Sequence, residues 1–166
     1  MKYSTKQLAT LALTVSLALI LSFIESRIPA FIAIPGIKLG LANVAVIFTL
    51  YKLGEKEAVC VSLVRVFLVS VLFGSTVSLA YSVAGAVLSL TGMILLKRLT
   101  PLSEITVSVC GGILHNVGQI ATASVLLATN VVTYYLPFLL VSGTVAGVGV
   151  GVMAGLLIKK VHIRKN

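Results

Sequence analysis

Long apolar stretches alternate with short polar breaks along the chain, and this alternation is the dominant pattern of the sequence. Six stretches approach the ~20 residues that a helix needs to cross the ~30 Å hydrocarbon core of a membrane. They cover residues 7–23, 39–53, 58–73, 77–96, 105–128 and 137–158. A short polar turn at 54–57 makes a hairpin of the second and third stretches. The pattern predicts one compact bundle of six transmembrane helices, a single domain covering residues 1–166.

Composition and charge agree with a protein that is integral to the cell membrane. Hydrophobic residues make up 58% of the chain, charged residues 10%, and the mean hydropathy is +1.14. These values exclude a soluble domain of this length. The net charge of +9 does not indicate a nucleic-acid partner, because the basic residues lie mainly beside the ends of apolar stretches. At those positions they set topology and contact anionic lipid headgroups.

The distribution of basic residues predicts the orientation of the bundle. Lysine and arginine near span ends accumulate on the cytoplasmic side. Here they occupy both termini and the second and fourth loops: Lys2, Lys6, Lys52, Lys56, Lys97, Arg98, Lys159, Lys160, Arg164 and Lys165. Both termini are therefore predicted to be cytoplasmic. The exception is the first loop, 25–38, which has Arg27 and Lys38 on the predicted outer side and whose prolines and apolar residues favour a structured, partly buried lid.

A few polar and ionisable side chains interrupt the apolar stretches at similar depth. Arg65 lies near the middle of the third stretch, and such groups are costly enough in a membrane to indicate function. We expect seven side chains to converge on a cavity that faces outward and is covered by the first loop: Glu25, Lys38, Asn43, Arg65, His115, Asn116 and Gln119. Their guanidinium, imidazole and carboxamide groups suit a solute with an anionic group and several hydrogen-bond acceptors.

Structural interpretations of the same residues stay open. Arg65 is also consistent with an arginine paired with helix carbonyls or with Glu25. His115 and Asn116 are also consistent with hydrogen bonds between helices, which are common in membrane bundles and worth about 1 kcal/mol each.

Small residues mark two helix surfaces for close packing. The last stretch has Gly143, Gly147, Gly151 and Gly155, a ladder that lets another backbone approach closely. The partner is either a neighbouring helix of the same bundle, which is the default, or another subunit. The first stretch has a shorter version in Ala9, Ala12 and Ser16.

Three motifs resemble one family over nearly the whole chain. They are Pro35-Gly-Ile-Lys-Leu-Gly-Leu-Ala-Asn43, Leu63-Val-Arg65 followed by Leu72-Phe-Gly74, and His115-Asn-Val-Gly-Gln119. The chain resembles the family named Gx transporter, also named heptaprenyl diphosphate synthase component I. That family is similar to the substrate-binding S-components of energy-coupling factor (ECF) transporters, six-helix proteins with both termini in the cytoplasm.

The resemblance implies a subunit that captures a vitamin or related small molecule, while a separate transmembrane coupling subunit and two ATPases supply the power stroke. It also implies that Ala9, Ala12 and Ser16 meet the coupling subunit. The pair Ala12 and Ser16 departs from the usual Ala-x-x-x-Ala pattern of that contact. A flavin is the first candidate among anionic aromatic vitamins, with Tyr81, Tyr134 and Tyr135 as stacking faces or as membrane-interface anchors.

Independent enzymatic activity is not expected. Prenyl diphosphate synthesis needs clustered carboxylates that hold magnesium, but the chain has no aspartate and only Glu25, Glu55, Glu57 and Glu104. No Gly-x-x-x-x-Gly-Lys-Ser/Thr loop is present for ATP hydrolysis. We expect no cofactor and no metal. Two other functions stay open: a non-catalytic accessory subunit in prenyl diphosphate or quinone biosynthesis, and a proton-coupled secondary carrier that uses Glu25, Arg65 and His115.

Overall fold

The computed structural model describes residues 5–28 and 39–161, and all regular structure in that part is helical. The helices are α1 (Thr5–Arg27), α2 (Asn43–Lys52), α3 (Glu55–Phe73), α4 (Thr76–Leu99), α5 (Glu104–Leu126) and α6 (Leu136–Lys160). A 3-10 helix, Val131–Tyr135, leads directly into α6. Lys38 and most of the first loop lie outside the described residues, so the lid stays a prediction.

Four helical segments of the described chain are long and apolar enough to cross a membrane: α1, α4, α5 and the continuous segment Val131–Lys160. The protein is therefore an all-helical membrane protein. α3 has 19 residues but carries Arg65 and three charged residues in its first turn. α2 has 10 residues, which rise only ~15 Å. The count of six spans and the cytoplasmic termini stay predictions.

α2 is shorter than its predicted apolar stretch because the chain turns before it begins. Gly40 has a φ of +72°, the left-handed region that favours glycine, and the helix starts only at Asn43. Gly54, with a φ of +145°, ends the segment before α3. Between these two glycines α2 is buried on nearly all sides, with Ile47 and Leu50 among its most buried side chains. α2 is thus a short core helix surrounded by longer ones.

Three glycines of the predicted ladder face α5. A Cβ placed on Gly147 would lie 2.6 Å from Val109 Cα, and one on Gly151 would lie 2.6 Å from Ile105 Cα. Gly143 packs equally closely against Gly112: a Cβ placed on Gly112 would lie 2.5 Å from the Gly143 carbonyl oxygen. α5 and α6 therefore pack backbone to backbone within one bundle.

The remaining small residues have different surroundings. No described atom lies within 4 Å of a Cβ placed on Gly155. Ala9, Ala12 and Ser16 are exposed on the outer surface of α1. That surface of α1 is therefore available for a partner or for lipid.

Polar contacts tie α2, α3 and α4 together at the end of the bundle that carries most basic residues, which we call the basic end. Lys97 Nζ donates a hydrogen bond to the Leu50 carbonyl oxygen over 2.6 Å, which satisfies a free carbonyl near the C-terminus of α2. Arg98 forms an ion pair with Glu55, with 2.9 Å between Arg98 Nε and Glu55 Oε1. These contacts hold the α2–α3 hairpin against α4.

The ion pair makes stability depend on pH at the basic end. Hydrogen bonds from Arg98 hold the pKa of the Glu55 carboxyl below its usual range. A lowered folded-state pKa means that the stabilisation is present above the ordinary glutamate pKa of about 4.3 and is lost as pH falls through the lower folded value. We expect Glu55→Gln to lower the unfolding temperature slightly at pH ~7, and the difference from wild type to shrink as pH falls below the ordinary glutamate pKa.

An Arg98→Gln background provides the control for this prediction, measured by thermal unfolding in detergent. In that background Glu55→Gln should have a smaller effect than in wild type, because the attraction of Lys97 and of the N-terminus of α3 for the carboxylate remains. An equal effect of Glu55→Gln with and without Arg98 would show that the ion pair does not stabilise the protein.

Candidate solute-binding cavity

A cavity of about 490 Å³ lies inside the bundle and receives side chains from all six helices. It extends from the end of the bundle opposite the basic end, where Ser26, Leu39 and Gly74 line it, to Ser108 and Val150. Along α5 its lining runs from Gln119 to Ser108, a rise of ~16 Å. The cavity is therefore elongated along the bundle axis.

Six of the seven predicted site residues line this single cavity. They come from α1, α2, α3 and α5: Glu25, Asn43, Arg65, His115, Asn116 and Gln119. Lys38, the seventh, lies outside the described residues. The tertiary structure thus brings polar groups that are far apart in the sequence to the wall of the same cavity.

Arg65 is the charged group of the cavity with an unsatisfied donor. Its Nε is buried and has no hydrogen-bond partner among the described residues. Glu25 lies close enough to interact with it electrostatically. Leaving a buried N–H of a charged group unpaired is costly. A guanidinium with an unpaired donor beside a cavity can form a charge-assisted hydrogen bond with an anion that binds there.

Glu25 joins the end of α1 to the chain that enters α2. Its Oε1 accepts a hydrogen bond from the Gly40 backbone N–H over 2.6 Å. Asn43 N in turn donates to the Gly40 carbonyl oxygen over 2.8 Å. The left-handed turn at Gly40 therefore positions both Glu25 and Asn43 on the cavity wall.

Asn116 has a structural hydrogen bond as well as a place in the cavity wall. Its side chain is 8% exposed, and Nδ2 donates to the Leu139 carbonyl oxygen of α6 over 2.5 Å. The interpretation of Asn116 as a hydrogen bond between helices therefore holds for its amino group. Its side-chain oxygen can still accept a hydrogen bond from a solute.

His115 lies where α4 and α5 cross. A Cβ placed on Gly85 would lie 2.9 Å from His115 Cε1 and 3.0 Å from Nδ1, so the absence of a side chain at Gly85 makes room for the imidazole. One helical turn further, a Cβ on Gly118 would lie 2.9 Å from the Ala84 carbonyl oxygen. Gly85 and Gly118 therefore position the ring of His115 at the cavity wall.

Eight serines also line the cavity, and sequence reasoning missed all of them. They are Ser22, Ser26, Ser70, Ser75, Ser78, Ser82, Ser89 and Ser108. The spacing of the serines at α4 could have indicated them, since Ser78, Ser82 and Ser89 recur at intervals of four and seven that place them on one helix face, and Ser75 precedes them at the N-cap. Ser75 and Ser78 also cap α4, since each hydroxyl accepts from the other residue's backbone N–H. The cavity wall therefore contains many hydroxyl groups in addition to the predicted site residues.

Aromatic side chains contribute little to the cavity. Phe73 is the one phenylalanine or tyrosine among its described lining residues, and its ring packs on Phe23 with 5.4 Å between centroids. Tyr81, Tyr134 and Tyr135 do not line it, and Tyr134 is 79% exposed. None of the described tyrosines therefore offers a stacking face to a solute in this cavity.

Together these features define a helical membrane protein with a cavity inside its bundle that both polar and apolar residues line. The family model for heptaprenyl diphosphate synthase component I matches residues 14–157, and the chain belongs to this family. The match confirms the resemblance that the three sequence motifs indicated. No curated protein and no solved structure matches the chain.

Proposed function

We propose that this protein is the substrate-capture subunit of an ECF-type uptake transporter for a small, anionic, vitamin-like solute. The observation that carries the proposal is the guanidinium of Arg65 beside a cavity of about 490 Å³: Arg65 lines the cavity, and its buried Nε has no hydrogen-bond partner among the described residues. This volume lies within the ~300–1,000 Å³ range of small-molecule sites. The guanidinium of Arg65 can pair with a carboxylate or phosphate group of the solute.

The position of the cavity supports capture from outside. It reaches the end of the bundle opposite the basic end, and the distribution of lysine and arginine predicts that this end faces away from the cytoplasm. In the proposal a separate transmembrane subunit contacts α1 at Ala9, Ala12 and Ser16, whose exposure supports such a contact. Two ATPases supply the energy, and this chain carries out no chemical reaction itself.

The lining of the cavity bears on the class of solute. Arg65, the amide side chains and the serine hydroxyls support recognition through charge and hydrogen bonds. Among the described residues of the wall one phenylalanine, Phe73, is present, which gives less support to a large aromatic ring system such as a flavin. We therefore place anionic, hydrogen-bonding vitamins ahead of flavins as solutes.

The name of the family supports a second candidate, a non-catalytic membrane subunit beside a prenyl diphosphate synthase. In this function Arg65 would contact a diphosphate group, and the prenyl chain would need an apolar surface. Arg65 supports the first part of that requirement, and the apolar side chains that also line the cavity, among them Ile47, Val66 and Val69, support the second.

Native mass spectrometry of the detergent-purified protein, followed by thermal-shift assays, tests the proposal. We expect a bound or stabilising water-soluble vitamin, with no solute flux by the isolated protein in liposomes. Stabilisation by prenyl diphosphates alone would favour the accessory subunit. Flux by the isolated protein that depends on pH would instead favour a proton-coupled carrier through His115.

A further inference from the structure

We infer that the floor of the cavity contains a second, uncharged hydrogen-bonding subsite at Ser108, so that the solute is an elongated anion with a polar group at its far end. The inference rests on the proposed function and deepens it, because it states what the solute carries away from Arg65. The polar group would be a hydroxyl, carbonyl or amide that pairs with the Ser108 hydroxyl.

Ser108 is a buried polar side chain without a partner. It is 3% exposed, it lines the cavity, and its Oγ has no hydrogen-bond partner among the described residues. A hydroxyl inside a helix normally donates to the carbonyl four residues earlier. Thr49, Thr122 and Thr144 do so in this protein, over 2.8 to 2.9 Å. The Ser108 hydroxyl lacks this bond, and because Ser108 lines the cavity, a rotation about its Cα–Cβ bond can bring the hydroxyl to a partner there.

Close packing against α6 positions the backbone around Ser108. A Cβ placed on Gly147 would lie 3.0 Å from the Ser108 carbonyl oxygen, and one on Gly151 would lie 3.0 Å from Ser108 Cβ. Because α6 approaches this closely, Ser108 cannot move toward α6 to find another partner. Its hydroxyl is held at one depth in the bundle.

The wall at the floor of the cavity includes a second hydroxyl and one flexible thioether. Ser89 and Met93 of α4 line the cavity beside Gly111, where a Cβ would lie 3.2 Å from Ser89 Oγ and 2.6 Å from Met93 Sδ. Ser89 is 5% exposed. A hydrocarbon tail at this floor would leave the Ser108 hydroxyl unpaired, which is unfavourable. The floor therefore favours a polar group over a prenyl tail.

The two subsites are separated along the bundle axis. Arg65 and His115 lie near the middle of their helices. Ser108 precedes His115 by seven residues on α5, a rise of ~10 Å toward the basic end. An extended eight-carbon chain spans a similar length, so a linear carboxylate with a terminal hydroxyl can test both subsites at once.

The experiment compares octanoate with ω-hydroxyoctanoate, which differ only in the terminal hydroxyl. Binding to the detergent-purified protein is measured by calorimetry for wild type, Ser108→Ala and Ser124→Ala. Ser124 is the matched control, because its Oγ is also buried on α5 without a partner among the described residues, but it does not line the cavity. Partition of the probes into detergent cancels when their affinity ratio is compared between proteins.

We expect wild type and Ser124→Ala to bind ω-hydroxyoctanoate about 2- to 10-fold more tightly than octanoate, as for one net hydrogen bond, and Ser108→Ala to lose this preference, because the terminal hydroxyl of the probe would lack its partner. A ratio that is the same in Ser108→Ala as in wild type would overturn the inference, as would equal affinities in wild type. The proposed function would survive either result if both carboxylates bind and Arg65→Ala abolishes their binding. Failure of both probes to bind wild type would count against the anion site at Arg65 as well.

Discussion

Replacing Arg65 with alanine is expected to weaken binding of an anionic solute by ~10- to 100-fold. A charge-assisted hydrogen bond contributes ~1.5–3 kcal/mol, and ~1.4 kcal/mol corresponds to a factor of ten in the dissociation constant. Arg65 Nε has no hydrogen-bond partner among the described residues, whereas the nearby Glu25 carboxylate competes with the solute for the positive charge and favours the lower end of this range. Isothermal titration with octanoate, and with any vitamin that stabilises the protein, measures it.

Two further variants separate the role of Arg65 from a general effect of charge. Arg65→Lys keeps the positive charge but loses the planar fork, so an intermediate affinity is expected. Arg98→Ala removes a guanidinium at the basic end, outside the cavity, and should leave binding unchanged. If Arg65→Ala remains monodisperse in size-exclusion chromatography and binds as tightly as wild type, Arg65 does not contact the solute.

The second large effect is expected from Gly147→Ala, which should destabilise the bundle by about 1–3 kcal/mol, the usual cost of overpacking. The new methyl group would lie 2.6 Å from Val109 Cα and 3.0 Å from the Ser108 carbonyl oxygen. Both are backbone atoms, so no side-chain rotation relieves the clash. α5 and α6 would have to separate, and the Asn116 bond to the Leu139 carbonyl oxygen and the cavity wall would change with them.

Gly149→Ala is the matched control, since the same substitution two residues away meets no described atom within 4 Å. It should leave the unfolding temperature unchanged or raise it slightly, because alanine favours a helix more than glycine does. The measurement is the unfolding midpoint in detergent for wild type and both variants. Equal midpoints for Gly147→Ala and Gly149→Ala would contradict the close approach of α5 and α6.

The sequence was informative about the helices because the cost of exposing polar backbone to lipid makes apolar length a direct signal. The predicted stretches at 77–96 and 137–158 lie within α4 and α6. The apolar stretch at 39–53 is longer than α2, because hydropathy does not detect the left-handed turn at Gly40 that delays the start of the helix. The turn between α2 and α3 is also shorter than the predicted polar turn at 54–57, because α3 already begins at Glu55. Acidic residues are favourable at a helix N-terminus, which explains this early start.

Part of the candidate site could likewise be predicted from the sequence, and part of it only from the structure. Arg65, His115, Asn116 and Gln119 were recognisable in the sequence because polar groups within an apolar stretch stand out against the cost of burying them in lipid. Their assembly around one cavity follows from the structure, and their contact with a solute stays a prediction.

Sequence alone was sufficient to indicate a helical membrane protein with an arginine inside its bundle, because hydropathy and charge act residue by residue. Only the packing of the helices showed which serines meet the cavity, since a serine in a helix can bond its own backbone or face a neighbour, and hydropathy is the same in both cases. That choice depends on the rotation of each helix about its axis. For α5 the rotation is set by contacts through Gly85, Gly118, Gly143 and Gly147, where missing side chains let backbones meet.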